Sequence, residues 1–468
     1  MPAAYLGCMD LDLTAFREDR EAINAFQLAE HTDHPVFITG RAGTGKSTFL
    51  KAFRNQTSKQ VIVLAPTGVA ALNAGGETIH SFFGLPWRPL LPDDQDIPYY
   101  RKGGADGEDE HPKRAIIRRL DAIIIDEVSM VRPDVIDAID ASLRKNGGDP
   151  KRPFGGIQLI LFGDLFQLPP VVKGEDEAIL NRYYETPYFF SALAFRRSGL
   201  LRIEFQTVYR QRDDHFIGLL DRIREGRHDR EDLAGINARV DPRHEPSADS
   251  MEVTLCARRR TADAINEDRL DRLDGDERSY AARIKGRFDG QLPTERNLVL
   301  KVGAQVMFVK NDETRRWVNG TMGRVTDLGP RSVHVEIRTE DGVIEHEVKR
   351  AEWESTEYVW TPGSNAIESD VVGQFRQLPL KLAWAVTIHK SQGLTFDRLT
   401  IDQGRGMFAY GQAYVALSRC RTLEGLTLSR PLRPRDIRVD RRIVDWTAGA
   451  NDPQAIGRVL EAAGRKMY

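Results

Sequence analysis

Short apolar runs, bounded by turn-forming residues, recur through the first part of the chain and predict buried strands. They cover residues 36–39, 61–65, 122–125 and 158–162, and helix-patterned or loop sequence separates them. Buried strands that alternate with helices are typical of a parallel, doubly wound sheet. We therefore interpret residues 15–200 as one α/β lobe.

The pattern changes twice in the rest of the chain. Strand-like sequence at 251–256 begins a second α/β lobe, whose pattern returns near residue 380. Between these points short segments such as 333–337 alternate apolar and polar positions, which is typical of half-exposed strands. The predicted fold class is α/β, and its parts are lobe one at 15–200 with an inserted subdomain at about 85–114, lobe two at 201–296 and 359–448, an inserted small β-barrel at 297–358, and a C-terminal tail at 449–468.

Length and composition narrow the class of protein. The chain has 468 residues, more than one hydrophobic core usually supports, which agrees with several domains. Its 41% hydrophobic and 29% charged residues are ordinary for a soluble globular protein. The formal net charge is -2, so no overall positive field attracts nucleic acid. A DNA site therefore has to be a local basic groove.

Cysteine spacing and the N-terminal sequence favour a cytoplasmic protein. Cys8, Cys256 and Cys420 are far apart and lack the paired spacing of a zinc site or a disulfide framework. Residues 1–16 lack the basic start and apolar stretch of a secretory signal. No apolar segment is long enough to cross a bilayer. We expect a soluble protein of the reducing cytoplasm with no membrane partner.

A glycine-rich segment follows the first predicted strand. Residues 40–47 read GRAGTGKS, which matches the P-loop pattern, and a predicted helix follows them. Backbone N–H groups of such a loop wrap around the phosphates of ATP, and its lysine adds a point charge. The expected nucleotide-binding residues are Gly43, Thr44, Gly45, Lys46, Ser47 and Thr48, of which Ser47 also ligates Mg²⁺. Gln27 could reach the adenine edge, although a surface position explains this glutamine nearly as well.

Two carboxylates end the apolar run at 122–125. Asp126 stands where a Walker-B aspartate holds Mg²⁺, and Glu127 can orient and deprotonate the attacking water. This pairing favours hydrolysis over phosphoryl transfer to another substrate. Gln167 follows the strand at 158–162 and could sense the γ-phosphate, although such a segment is more often a plain turn.

A second lobe predicts a cleft in which arginines from the far side complete the ATP site. Arg210 and Arg419 are candidates, because a finger arginine stabilises the charge that develops during phosphoryl transfer. Most arginines are surface charges, so the residues alone do not select these two.

Ordered segments across most of the chain resemble the PIF-type (petite integration frequency) DNA helicases and, more distantly, the RecD-like helicases of the same superfamily. The segments are APTGVAALN at 65–73, GETIHSFF at 76–83, FGGIQL at 154–159 with the following GD at 163–164, YRQ at 209–211, GAQVM at 303–307, VNGT at 318–321, AVTIHKSQG at 385–393 and YVALSR at 414–419. So many segments in one order do not coincide by chance.

The resemblance implies two RecA-like lobes, 5′→3′ translocation on single-stranded DNA and an accessory role for the barrel. It makes Arg210 and Arg419 the ATP-site arginines and Gln167 the coupling glutamine. Duplex junctions with a 5′ tail become the expected substrates. The candidate DNA contacts are Thr67, His80, Thr387, His389 and Lys390, whose donors suit phosphate groups.

One segment departs from the family pattern. Arg258, Arg259 and Arg260 stand where related sequences tend to carry a Pro-Thr-Asn-like turn. They could add backbone contacts to DNA or form a solvated cluster.

Two other functions stay open. The first alternative function is a non-translocating P-loop switch that gates binding to nucleic acid or a protein partner. The second is an RNA-directed motor, because the residues alone do not show whether the protein distinguishes RNA from DNA by its 2′-hydroxyl.

Overall fold

The computed structural model describes most of the chain. It covers residues 16, 19–92, 94–100, 111–147, 149–172, 174–209, 213–247, 250–288, 292–314, 316–339, 342–361, 366–465 and 467.

A parallel six-stranded sheet forms the centre of lobe one. Its strands are β1 Val36–Gly40, β2 Val61–Ala65, β3 Glu77–Thr78, β4 Ala122–Ile125, β5 Gln158–Phe162 and β6 Leu201–Phe205, in the spatial order β3-β2-β4-β5-β1-β6. The four predicted strands are confirmed, and β1, β4 and β5 are buried along their whole length. Because β6 pairs with β1, lobe one extends past residue 200. Strand β6 has the alternating burial of an edge strand, so the sequence pattern did not show that lobe one includes it.

Helices cover both faces of this sheet. They are α1 Arg20–His31, α2 Lys46–Gln56, α3 Gly68–Ala74, α4 Ile79–Phe83, α5 Pro112–Ile117, α6 Pro133–Asn146, α7 Gly174–Leu180 and α8 Leu193–Ser198. Leu90 and Ile97, from the described part of the predicted inserted subdomain, are buried in the lobe-one core. That segment therefore packs onto the lobe.

Lobe two begins with α9 Asp214–Arg224, α10 Arg230–Asn237, β7 Val253–Cys256 and α11 Arg259–Asp271. The insertion follows, with β8 Arg278–Ala281, β9 Arg283–Gly286, β10 Asn297–Leu300, β11 Gln305–Phe308, β12 Met322–Leu328, β13 Ser332–Thr339, β14 Gly342–Lys349, β15 Ala351–Thr361, β16 Ala366–Gln377 and β17 Leu380–Leu382.

The insertion is larger than the predicted 297–358. One sheet has the order β14-β13-β12-β11-β17, and the hairpin β15-β16 pairs with β9, so the inserted strands extend over about 278–382. The exposed strand β9 carries no apolar alternation, and β17 pairs with β11 from beyond the hairpin. Both ends of the insertion were therefore hidden in the sequence. Tyr358 of β15 reaches lobe one, where its hydroxyl accepts a hydrogen bond from Val63 N–H at 3.1 Å.

Lobe two is completed by β18 Ala385–Thr387, β19 Leu399–Asp402, α12 Gln412–Leu417 and β20 Leu426–Leu428, and two further helices follow, α13 Arg441–Thr447 and α14 Pro453–Ala462. Its parallel sheet has the order β18-β7-β19-β20. Ile456 and Leu460 of α14 pack with Leu28 of α1, so the predicted C-terminal tail belongs to the lobe-one surface. In the described residues, no helix combines the length and apolar character that a membrane span needs.

Candidate nucleotide site and nucleic-acid interface

The P-loop joins β1 to α2 as predicted. Gly43 and Gly45 have φ values of 89° and 82°, a left-handed conformation that favours glycine and leads directly into the helix at Lys46. The ammonium of Lys46 donates to the carbonyls of Gly40 and Arg41 at 2.6 and 2.8 Å. Ser47 lies exposed in the first turn of the helix. This helix end, with its free N–H groups and positive dipole, suits a phosphate.

Asp126 and Glu127 emerge where β4 ends. Glu127 has a φ of 51°, an uncommon conformation for this residue, and its N–H donates to the Asp126 carboxylate at 2.9 Å. Burial, together with the neighbouring Asp126, raises the pKa of Glu127 to about 7, while Lys46 and Arg419 oppose this rise. Burial also raises the pKa of Asp126. A carboxylate with a pKa near neutrality suits general-base chemistry.

The donor set at this edge fits a magnesium ion. Mg²⁺ in a nucleotide site usually takes one or two protein oxygens, and phosphates and water supply the rest. The Ser47 hydroxyl and the Asp126 carboxylate are donors of this kind. No cluster of three or more metal-ligating His, Cys, Asp or Glu side chains occurs in the described ranges, and such a site does not require one.

Gln167 lies between the P-loop and the carboxylates, because β5 runs between β1 and β4. Its side chain is buried and donates to Asp164 at 3.3 Å. Asp164 in turn pairs with Arg224 of α9 at 3.2 Å, and both side chains are almost fully buried. An ion pair with the first helix of lobe two therefore holds the loop that carries Gln167.

Gln392 joins the two lobes at the carboxylates. Its amide nitrogen donates to Glu127 at 3.1 Å and to Gln167 at 3.0 Å. It directly follows the short 3-10 helix His389–Ser391, which holds two candidate DNA contacts. Sequence reasoning assigned Gln392 no role, although the residue lies inside the segment 385–393 that carries the family resemblance.

Helix α12 also reaches the nucleotide site. Arg419, 1% exposed, donates to the carbonyl of Val415 at 2.9 Å and lies close enough to Glu127 to lower its pKa. The hydroxyl of Tyr414 accepts a hydrogen bond from Ala42 N–H of the P-loop at 3.1 Å. The structure thus brings Arg419 to the predicted site. Arg210 lies outside the described residues, so its role stays a prediction.

Two aromatic residues that sequence reasoning missed border the P-loop. Tyr209 donates its N–H to the carbonyl of Gly43 at 2.9 Å, and its ring lies 6.0 Å from that of Phe16. The Tyr209 hydroxyl donates to Asp19, the N-cap of α1, at 3.4 Å. Gln27 lies eight residues further along this helix, about 12 Å from the cap. Its role at the adenine edge stays a prediction.

Each lobe presents a threonine just where a strand ends. The Thr67 hydroxyl, after β2, accepts from Ala70 N–H at 3.3 Å, and the Thr387 hydroxyl, at the end of β18, accepts from Lys390 N–H at 3.2 Å. A threonine hydroxyl that accepts one hydrogen bond can still donate its proton, but Thr387 is only 8% exposed, whereas Thr67 is half-buried. His389 and Lys390 are exposed beside Thr387. These residues fit a backbone-binding surface.

His80 is the candidate DNA contact that least fits its expected role. It is half-buried, and the ring of Trp87 stacks on it with the centroids 4.0 Å apart. Its Nδ1 is buried without a hydrogen-bond partner in the described structure, and burial lowers the pKa of His80.

Sequence reasoning did not single out Lys381. Burial, with Lys390 nearby, lowers the pKa of this lysine to about 8.

Two family models match the chain. One, described as PIF1-like helicase, matches residues 16–233, and the other, described as DNA helicase Pif1, 2B domain, matches residues 285–328. The second match falls inside the inserted strands.

Curated relatives agree with these matches. The ATP-dependent DNA helicase PIF1 of Danio rerio is 38% identical over 84% of this chain, and that of Bdellovibrio bacteriovorus is 33% identical over 88%. The chain spans 87% of the bacterial relative but only 58% of the Danio rerio protein. It therefore spans about three fifths of the length of the vertebrate relatives.

Solved structures share the architecture. The chain aligns with Bacteroides sp Pif1 in complex with ADP-AlF4 at a TM-score of 0.81 and 36% identity, covering 92% of this chain and 96% of that one. With Bacteroides Pif1 bound to ssDNA the TM-score is 0.65, at 37% identity and the same coverage. The two RecA-like lobes predicted from the sequence are therefore confirmed, and the chain belongs to the PIF1-like helicase family.

Proposed function

We propose that the protein is an ATP-dependent DNA helicase that translocates 5′→3′ on single-stranded DNA and unwinds duplexes. The observation that carries this proposal is the link from Gln392 to Glu127 and Gln167. Gln392 lies next to the DNA-contact candidates of lobe two, whereas Glu127 is the base of lobe one. A shift of the DNA-binding segment thus changes the surroundings of the hydrolytic residues. A motor needs this coupling between the two sites.

ATP with Mg²⁺ is the proposed cofactor. Lys46 and the N-terminus of α2 would bind the phosphates, and Ser47 and Asp126 would hold the metal ion. Bound Mg²⁺ neutralises charge on the phosphates during transfer. Glu127 orients and deprotonates the attacking water, and Arg419 adds positive charge from lobe two. The complex of the Bacteroides relative with ADP-AlF4 supports a nucleotide at this place.

Single-stranded DNA is the proposed partner, with a 5′-tailed junction as the substrate. Thr67 of lobe one and Thr387, His389 and Lys390 of lobe two would hold the sugar-phosphate backbone, which positions a strand without reading its sequence. The complex of the Bacteroides relative with ssDNA supports the strand, and the polarity rests on family resemblance. The proposal includes a reducing cytoplasm, with which the free, buried thiols of Cys256 and Cys420 agree.

Strand displacement on matched duplexes tests this function. DNA and RNA duplexes with identical sequences, each carrying a 5′ or a 3′ tail, are incubated with the protein, ATP and Mg²⁺. We expect unwinding of the 5′-tailed DNA and ATP hydrolysis that single-stranded DNA strongly stimulates. Unwinding from the 3′ tail would contradict the polarity, and preference for RNA would contradict the substrate. ATP-dependent DNA binding without any unwinding would favour the switch.

A further inference from the structure

Trp87 presents an open aromatic face beside the candidate DNA contacts. Its side chain is 80% exposed, while one face of the indole is covered by His80 at an interplanar angle of 2°. The other face is therefore the open one. A large aromatic ring that stays in water forgoes the burial that usually stabilises it in a fold. A single exposed aromatic residue is common, so its place and its rigidity decide what it can do.

The place of the stack is fixed by strand register. Ala65 of β2 pairs with Thr78 of β3, and Thr67 and His80 each follow two residues beyond this pair. His80 and Thr67 thus both lie at the carboxyl edge of the lobe-one sheet, the edge where open α/β sheets bind ligands. Trp87 covers His80, so a strand that follows this edge meets the indole before it meets the imidazole.

The segment that carries Trp87 is tied down on its far side. The guanidinium of Arg88 forms a two-pronged pair with Asp94, at 2.6 and 2.9 Å, and this pair lowers the pKa of Asp94 to about 2. The carbonyl of Arg88 accepts a hydrogen bond from Arg132 at 3.0 Å. Leu90, 1% exposed, anchors the segment in the core. The backbone that carries the ring is thus held in place before any ligand arrives, which lowers the entropy cost of binding.

We infer that the open face of Trp87 stacks one unpaired nucleobase of the single strand, in a column of base, indole and imidazole. This site rests on the proposed function, because its ligand is single-stranded DNA. Every base has a π-face, so the contact tolerates any sequence. The low pKa of His80 agrees with a neutral imidazole below the indole. His80 thereby supports the stacking ring and does not itself grip phosphate.

A scan with abasic sites tests the stack directly. The probe is the shortest fluorescent single strand that retains full affinity, which leaves one binding register, with a tetrahydrofuran residue at each position in turn. For the wild-type protein we expect one position where loss of the base weakens binding about 5- to 150-fold, the range found for base–aromatic stacking. Trp87→Ala should bind the intact strand more weakly by a similar factor and be indifferent to the abasic residue at that position.

Matched variants separate the stack from general damage. Trp87→Phe keeps an aromatic face and should retain most of the position-specific penalty, and it also serves if Trp87→Ala folds poorly. Tyr183→Ala, which removes another exposed aromatic of lobe one, should leave the whole scan unchanged. Equal abasic penalties in wild type and Trp87→Ala, or unchanged affinity in that variant, would overturn the site. A wild-type protein that fails to bind single strands would instead refute the proposed function.

Discussion

Each lobe has its own parallel sheet, and the two lobes carry different side chains at the carboxyl edges of these sheets. In lobe one, β1 leads into a glycine-rich loop and β4 into two carboxylates, which suit a phosphate and a metal ion. In lobe two, β7 leads into three arginines and β18 into a threonine, a histidine and a lysine, without a glycine-rich turn. The lobe-one edge thus carries the candidate nucleotide site beside its candidate strand contact Thr67, whereas the lobe-two edge carries candidate strand contacts without a P-loop. The side chains at the strand ends make this difference.

The sharpest test of this division removes the chemistry of lobe one alone. Lys46→Ala should abolish hydrolysis by removing phosphate neutralisation, and Glu127→Gln should bind ATP but turn over about 10²- to 10⁴-fold more slowly. Both variants should bind single-stranded DNA like the wild type. Steady-state ATPase and nucleotide titrations measure the effect. Wild-type turnover in Glu127→Gln would refute the assigned base.

The second test cuts the link between the lobes. Gln392→Ala removes two hydrogen bonds, one of them to a carboxylate, and should lower the stimulation of ATPase by single-stranded DNA about tenfold, as one such bond suffices to do. ATP affinity should not change, since neither of these bonds reaches the P-loop. Gln454→Ala, on the exposed surface of α14, is the control. Full stimulation in Gln392→Ala would show that the lobes communicate by another route.

The paired threonines test whether both lobes grip the strand alike. Thr67→Val and Thr387→Val each remove a hydroxyl that caps a turn and is proposed to contact the strand. Each should weaken single-stranded DNA binding about fivefold, as expected when one hydrogen bond is removed. Thr67→Ser and Thr387→Ser keep the hydroxyl and should bind normally. Fluorescence anisotropy measures all four variants. An effect confined to one lobe would show that the two sheet edges do not act as equivalents.

The sequence predicted the chemistry of lobe one better than the contacts between the lobes. Its P-loop, carboxylates and buried strands depend on neighbours in the chain, which local patterns record. Gln392 meets Glu127 across 265 positions, and no local pattern carries such a contact. The inserted strands lie where the small β-domain was predicted, but exposed strands at one end and the late return of β17 at the other extend them beyond the predicted limits. Trp87 falls within the predicted insertion, but its stack on His80 depends on how that segment folds back, which no local pattern records.

The smallest expected effect concerns the arginines that follow β7. Arg258 and Arg260 lie two and four residues after the strand ends at Cys256, at the same edge as Thr387. Arg258 already lies over the ring of Phe408 at 5.5 Å, and Arg259 pairs with Asp263 at 3.3 Å on an exposed helix face. These local partners reduce what the cluster has left to offer DNA.

Replacing Arg258, Arg259 and Arg260 by alanine therefore distinguishes a DNA-binding cluster from a solvated one. If they bind phosphates, affinity should fall by a similar factor for every sequence, because phosphates carry no base identity. The log–log salt dependence should flatten by about 0.7 for each phosphate that the variant no longer neutralises. Hydrolysis without DNA should stay unchanged, since the ATP site lies at the edge of the other sheet. Anisotropy over a salt series measures both quantities, and an unchanged slope with unchanged affinity would identify the cluster as surface charge alone.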